Sequence, residues 1–402
     1  MKIRPEVKKV LEQLHIKKPK DGQNRMINSI LDGNDTFVIA PTSYGKSLIY
    51  QVPAIIRNDA LTVVIEPLIA LMHDQTAKLR KLGIAAAYLD STMCIEESDE
   101  TVNALQNGEI QILYIAPERL EKGVLSMAAQ YNRIGIIVVD EAHCVTSWGY
   151  TFREAYLSIG AYIEALDYHP TVVALSATAL PEDRSKITEL LAMRDVKFCK
   201  RSLYRSNLVF MKKAVTSRKE KRDALKKYMN KYHKHTTIVF CATKRDAEEV
   251  AKYLEKLYPD DVAVYHSGKK SQERKMLSGK KHVIVATSAL SMGVDIRNVD
   301  LVIHFNMPLS LADYYQMAGR AGREGQHARS ILLYDSRDYF TNRNLLGNIS
   351  DKESQNTAYR RLDEMKEFCE DREQCMVQSL LRALGETRET KCRYCTNCQK
   401  ER

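Results

Sequence analysis

Long hydrophobic runs are missing from this chain. No apolar stretch approaches the roughly 20 residues needed to cross a bilayer. Residues 1–14 alternate Lys, Arg and Glu with apolar side chains, where a secretory signal would build one continuous apolar segment. The expectation is a soluble intracellular protein without a membrane span. Short-period repeats and low-complexity tracts are also lacking, which argues against solenoids and tail-like segments. Tryptophan occurs once, at Trp148. With 44% apolar and 28% charged residues, nothing forces disorder, and 402 residues suffice for two or three domains at roughly 150 each.

Basic residues outnumber acidic ones, 61 to 51, for a net charge of +10. That balance favours a polyanionic partner, because cations held near phosphates release condensed counterions. A well-solvated surface can carry the same excess. Residues 211–235 hold ten Lys/Arg against Glu220 and Asp223 alone, a run that reads as a solvated, partly helical face.

Short apolar, β-branched runs alternate with helical stretches from about residue 34. Residues 37–40, 62–66, 111–116, 136–140 and 172–176 read as buried strands, each followed by a turn and an amphipathic segment. The rhythm stops near 201–207 and resumes with 237–241, 262–266, 282–287, 301–305 and 330–334. The pattern predicts an α/β chain with two parallel-sheet domains in tandem, joined by a polar connector and followed by a helical region.

The first predicted strand runs into Pro41, Thr42, Ser43, Tyr44, Gly45, Lys46 and Ser47, then an apolar helix. A strand, a tight turn and a helix N-terminus in that order form a phosphate loop, its backbone N–H groups facing an anion. Lys46 would reach the β- and γ-phosphates of ATP and Ser47 would hold Mg²⁺. Ala40 and Ser43 stand where the pattern has glycine. The strand over 136–140 ends in Asp140, Glu141, Ala142 and His143. An acidic pair at a buried strand tip calls for a cation. Asp140 suits the Mg²⁺ shell, Glu141 the attacking water, and His143 the γ-phosphate.

Nine cysteines divide by position. Cys94, Cys144, Cys199 and Cys241 are scattered and read as reduced thiols. Cys375, Cys392, Cys395 and Cys398 place one cysteine on a helix ahead of a C-x-x-C-x-x-C knuckle, the spacing of a closed four-thiolate Zn²⁺ site. A redox pair would want a thioredoxin-like context, which is lacking. Cys369 reads as a helix thiol outside the set.

Taken in order, several motifs resemble superfamily 2 helicases: Asp140 to His143, then Ser176-Ala177-Thr178, then Gln316-Met317-Ala318-Gly319-Arg320-Ala321-Gly322-Arg323. Glu66 to Gln75, Ile112 to Leu120 and Trp148 to Arg153 further resemble the RecQ family, as does the place of the cysteine module. The resemblance spans nearly the whole chain. It implies two RecA-like domains, residues 1–205 and 206–340, and a helical zinc-binding module at 341–402. It makes Arg320 and Arg323 the residues that meet ATP from the second domain, within the motif that begins at Gln316. Ser176 and Thr178 become couplers of hydrolysis to movement, and Gln23 the reader of adenine. Trp148, Phe152 and Arg153 become contacts to single-stranded DNA. Ile16, Lys20, Tyr150 and Thr151 depart from the family pattern, and the stretch between His266 and Ala286 is shorter than usual.

The implied activity is ATP-dependent 3′→5′ DNA unwinding on single-stranded, tailed or forked substrates in recombination and repair. Only four residues follow Cys398, so no winged helix or further helical domain is expected from this sequence. The alternative is therefore a translocase or ATPase subunit whose protein partner supplies strand separation. A DNA-binding scaffold with a decayed ATP site is opposed by the intact Lys46, Asp140, Glu141, Arg320 and Arg323. An RNA helicase is opposed by the cysteine module and the Trp148 loop.

Overall fold

The structure is a computed structural model that describes residues 2–146, 153–266, 279–290 and 296–400. Contacts divide the chain into two units, Met1–Ser202 and Leu203–Arg402, each built on one open sheet.

The first unit has strands β1 (Thr36–Ile39), β2 (Leu61–Ile65), β3 (Ala86–Leu89), β4 (Ile112–Ile115), β5 (Ile134–Val139), β6 (Thr171–Ser176) and β7 (Lys197–Lys200). Their order is β3-β4-β2-β5-β6-β1-β7, and every pairing is parallel. β1, β2, β4 and β6 are buried throughout. Continuous Ile, Val and Leu runs suit such strands because helices cover both faces of a parallel sheet. Helices Gln23–Leu31, Ser47–Ile56 and Ile69–Lys81 supply Met26, Ile49 and Met72 to one core layer. In register, Ile39 lies opposite Ser176, Val139 opposite Ala174, and Ile65 opposite Val139. The residues that follow these four strands therefore emerge level with one another, at the edge where open α/β sheets bind ligands.

The second unit carries β8 (Leu208–Ala214), β9 (Thr236–Phe240), β10 (Val262–Tyr265), β11 (Val283–Ala286), β12 (Val299–His304) and β13 (Ala328–Tyr334), all parallel, in the order β10-β11-β9-β12-β13-β8. Helices Ser336–Leu346, Lys352–Glu370 and Met376–Ala383 and the short Thr396–Lys400 follow. Among the described residues no helix is long and apolar enough to cross a membrane.

All ten strands read from the sequence are present within two residues of their expected ends. Three others escape the pattern. β3 is alanine-rich, and β7 is an exposed edge strand with lysine at both ends. β8 begins the stretch that reads as a polar connector; among the described residues it is an edge strand that pairs with β13. The other side of β8 meets the C-terminal region. Lys212 N–H donates to Thr396 Oγ1 (2.9 Å), and Lys212 Nζ donates to the carbonyls of Phe368 and Asp371.

The basic run is likewise more than a solvated face. Within helix Arg218–Tyr232, Lys221 is 3% exposed and donates to both oxygens of Asp338 at 2.8 Å. Asp338 also accepts from Asn306 Nδ2 (3.0 Å) and Met307 N–H (3.1 Å). Burying two charges is tolerable here because the pair is close and the carboxylate's remaining lone pairs are satisfied.

His304, the last residue of β12, is fully buried between the rings of Phe240 (5.6 Å) and Tyr314 (4.7 Å). Burial pushes its pKa from the ordinary 6.5 down to about 3. Between those values the unfolded chain takes up a proton that the folded unit refuses, so stability falls as pH falls. In urea titrations, His304 is expected to contribute a loss of about 1.4 kcal/mol per pH unit below 6.5. The acid slope of His304→Phe should be shallower by that amount; an unchanged slope would show that the ring is not buried neutral.

Candidate functional site

β1 delivers the candidate phosphate loop. Beyond buried Ala40 the chain makes a turn at Thr42–Tyr44, passes Gly45 at φ +82°, and enters helix Ser47–Ile56. Glycine is required at 45 because the backbone is left-handed and an added Cβ would lie 3.3 Å from Gln23 Nε2. Gln23, 2% exposed at the start of helix Gln23–Leu31, donates to the carbonyls of Tyr44 (3.0 Å) and Gly45 (3.1 Å). Its Oε1 accepts the Lys20 N–H at 2.7 Å. The Tyr44 hydroxyl donates to the Asp21 carbonyl at 2.5 Å while its ring packs in the core. Residues 20–23 thus hold the loop through two side chains. The positive end of the helix that begins at Ser47 adjoins this loop, an arrangement that attracts an anion.

Lys46 Nζ is buried, makes no hydrogen bond among the described residues and lies 3.9 Å from Glu141 Oε1. Asp140 and Glu141 follow directly on β5. Asp140 Oδ1 accepts the Glu141 N–H at 2.8 Å, and Glu141 adopts φ +48°. A left-handed glutamate is a strained arrangement that the surrounding structure must enforce. Glu141 Oε2 lies 3.4 Å from His143 Nδ1, and that ring nitrogen is 3.1 Å from Ser176 Oγ at the tip of β6. Ser176 Oγ in turn accepts the Thr178 N–H at 3.1 Å. A polar chain therefore connects Lys46, Glu141, His143, Ser176 and Thr178 across three strand ends.

A third acid completes the cluster. Glu66, 1% exposed just beyond β2, accepts the Leu68 N–H at 3.2 Å and feels the charges of Asp140 and Glu141. Burial, reinforced by Asp140 and Glu141, pushes the Glu66 carboxyl well above the carboxylate range. Burial also pushes Asp140 up to about 6, with Lys46 pulling the other way. Both shifts favour the protonated forms, because burial and the neighbouring acids disfavour further negative charge there. In the sequence Glu66 stands out only as the first letter of a motif; its role depends on burial, which spacing does not encode. Carboxylate and hydroxyl oxygens beside an ammonium with no acceptor suit a hard cation such as Mg²⁺ next to phosphate oxygens.

In the second unit, Ser310 caps helix Leu311–Ala318, and Gln316 on that helix is 5% exposed, its Nε2 without a hydrogen-bond partner among the described residues. Arg320 is 4% exposed just past the helix, and Arg323 is half-buried three residues on.

The Sγ atoms of Cys375, Cys392, Cys395 and Cys398 lie within 4.8 Å of one another, and all four residues are buried. Cys392 N–H donates to Cys375 Sγ (3.3 Å), and Cys395 N–H to Cys392 Sγ (3.3 Å). N–H donors aimed at clustered sulfurs favour thiolates, and four of them at this separation fit tetrahedral zinc with bonds of about 2.3 Å. Cys369 is buried on helix Lys352–Glu370, outside the set. Cys94, Cys144, Cys199 and Cys241 lie apart from the cluster and form no disulfide among the described residues.

The structure thus brings Gln23, Thr42, Gly45, Lys46, Ser47, Asp140, Glu141 and His143 to one edge of the first sheet. Gln316, Arg320 and Arg323 share one segment of the second unit. Trp148 and Phe152 lie outside the described residues, as do the side chains of Ser43 and Arg153.

Three family models match the chain in succession: DEAD/DEAH box helicase over residues 20–187, helicase conserved C-terminal domain over 220–325, and RecQ zinc-binding over 336–399. The chain is 33% identical, over 94% of its length, to the ATP-dependent DNA helicase RecQ of Bacillus subtilis (strain 168), and spans 64% of that relative. It is 30% identical, over 94% of its length and 68% of the relative's, to the putative ATP-dependent RNA helicase R290 of Acanthamoeba polyphaga mimivirus. Helicase Lhr of Mycobacterium smegmatis, solved bound to ssDNA and AMP-PNP, shares the fold with a TM-score of 0.66 at 20% identity, over 91% of this chain and 57% of that one.

The cysteine geometry predicts one tightly held zinc per chain. Chelation, or Cys395→Ser, is expected to unfold the knuckle, since structural zinc supplies on the order of 10 kcal/mol to small modules. Metal analysis and hydrogen exchange check this: amides at 392–400 should lose protection while those of β1 and β5 keep theirs.

Proposed function

The chain belongs to the RecQ family of DEAD/DEAH box helicases, and on that footing we propose that it is an ATP-driven motor that moves 3′→5′ along single-stranded DNA and unwinds tailed or forked duplexes. Recombination and repair inside the cell are the setting this reading implies. The observation that carries the reading is buried Lys46, without a hydrogen-bond partner among the described residues, facing Glu141 and Asp140 at the tips of β1 and β5.

Bound Mg²⁺·ATP would supply the phosphoanhydride to be cleaved and the cation that offsets its charge. Lys46 holds the β- and γ-phosphates, and the backbone of Thr42, Ser43 and Gly45 cradles them. Ser47 and Asp140 bind the cation. Glu141, set by its left-handed backbone and by Lys46 and His143, orients the attacking water and takes its proton. His143 passes the state of that site to Ser176 and Thr178. From the second unit, Arg320 and Arg323 act on charge developing at the γ-phosphate, within the motif opened by Gln316. Gln23 reads adenine from the position that tethers the loop. Trp148 and Phe152 stack on bases and Arg153 meets a phosphate, so strand engagement adjoins the Asp140–His143 turn. Zinc, held by four thiolates with no open position, is structural.

ATP hydrolysis measured with single-stranded DNA and with RNA of equal length tests the reading, since one relative bears a DNA helicase name and another an RNA helicase name. DNA should stimulate turnover, and Glu141→Gln should retain ATP binding while losing about 10²–10⁴ in kcat. The 3′-tailed duplex should open and the 5′-tailed one should not. DNA-stimulated turnover without unwinding would favour a translocase served by a protein partner; turnover indifferent to DNA would reject the motor.

A further inference from the structure

Residues 203–207, the first of the second unit, are bonded at both ends to parts of that unit far away in sequence. Leu203 N–H donates to Glu386 Oε2 at 2.7 Å, and its carbonyl accepts the Tyr315 hydroxyl at 2.5 Å. The Arg388 guanidinium sits 3.8 Å from the centre of the Tyr204 ring. Arg205 then donates to the carbonyls of Gly319 (2.9 Å), Ala321 (2.8 Å) and Gly322. Asn207 Nδ2 donates to the carbonyls of Gly322 and Gln326, both at 2.8 Å. Five carbonyl contacts from two side chains thus fix the turn that carries Arg320 and Arg323.

The fit leaves no slack. Gly322 is left-handed at φ +66°, and a Cβ there would lie 2.6 Å from Asn207 Nδ2. Burial lowers the pKa of Arg205, and the nearby Arg323 charge lowers it further. The carbonyls it binds offset that repulsion, so the two guanidiniums can stay close only while the clamp is made.

At the other end, Glu386 and Arg388 belong to the loop between helix Met376–Ala383 and Cys392. Gln378 Nε2 pins this loop through the carbonyls of Arg388 (2.8 Å) and Glu389 (3.0 Å). The helix before this loop begins directly after Cys375, and the loop runs directly into Cys392; both cysteines belong to the four-cysteine cluster. Closing that cluster therefore ties down the start of the helix and the end of the loop, on either side of Glu386 and Arg388.

We propose that residues 203–207 are a positioning strap: the cysteine-module loop grips Leu203 and Tyr204, and Arg205 and Asn207 hold the arginine turn in place for hydrolysis. Arg205 and Asn207 are positioning residues, acting through Arg320 and Arg323, and Glu386 sets the tension from outside the turn. The inference rests on the reading that Arg320 and Arg323 act on ATP.

The test uses the full zinc-loaded chain and compares Glu386→Ala, Glu386→Gln and Arg205→Lys. Three quantities are measured: zinc content, kcat and KM for ATP with single-stranded DNA, and hydrogen exchange of 319–326 without nucleotide. Glu386→Ala should keep its zinc and its KM while losing about tenfold in kcat, with exchange at 319–326 faster by a similar factor. Glu386→Gln, which retains an acceptor for Leu203 N–H, should restore both values. Arg205→Lys should match Glu386→Ala, because a single ammonium cannot span three carbonyls. Unchanged exchange at 319–326 in Glu386→Ala, or faster exchange with unchanged kcat, overturns the strap. Should the parent chain hydrolyse no ATP, the functional reading fails, and the exchange data still decide whether the loop holds the turn.

Discussion

At the carboxyl edge of the first sheet, three carboxylates share a nearly dry pocket with one ammonium. Glu66, Asp140 and Glu141 follow β2 and β5, and Lys46 follows β1. In a low-dielectric setting such an excess of negative charge cannot persist fully ionised. The carboxyls answer by shifting upward: burial and mutual repulsion raise Glu66 well above the carboxylate range and Asp140 to about 6. A divalent cation would relieve the same imbalance, which makes the pocket receptive to one. The architecture follows from this requirement. Only a parallel sheet whose neighbouring strands end at the same level brings three acids and a lysine from well-separated stretches of chain so close together.

The parts of this arrangement that were legible in the sequence are those written in local pattern. Apolar, β-branched runs marked β1, β2, β5 and β6, and the residues after β1 and β5 spelled out the candidate phosphate loop and the Asp140–His143 turn. The four clustered cysteines were legible because metal-ligand geometry constrains spacing directly. Alanine-rich β3 and lysine-ended β7 were not, since neither carries the β-branched signal of a covered strand. The basic run from 211 to 235 misled for a different reason. Charge reports solvation only on average, and Lys221 is buried against Asp338, 117 residues away. Gln23 was picked out, but its bonds to Tyr44 and Gly45 were hidden, as were the clamps of Arg205 and Asn207. Those contacts depend on which loops meet, not on what lies nearby in sequence.

The two units solve different problems with the same sheet. The first concentrates uncompensated charge at a strand edge and holds it with a stitched loop. The second spends its polar groups on internal fastening. Lys221 and Asp338 join helix Arg218–Tyr232 to helix Ser336–Leu346, and Asn207 joins the start of β8 to the turn before β13. The second unit thus has the character of a stiff frame presenting two arginines, whereas the first is a pocket whose charge is meant to be altered by what enters it.

The fastening of β8 has one more consequence. An open sheet ends in strands whose outer N–H and C=O groups invite a strand from another molecule, and natural proteins blunt or cover such edges. Here the cover over β8 is Thr396, in the last turn before Cys398, together with the carbonyls that grip Lys212. The shield is therefore only as durable as the cysteine cluster beside it. Oxidation or demetallation of those thiols would bare an edge template, and damage to the metal site would surface as chains joining edge to edge before it surfaced as unfolding of the sheet.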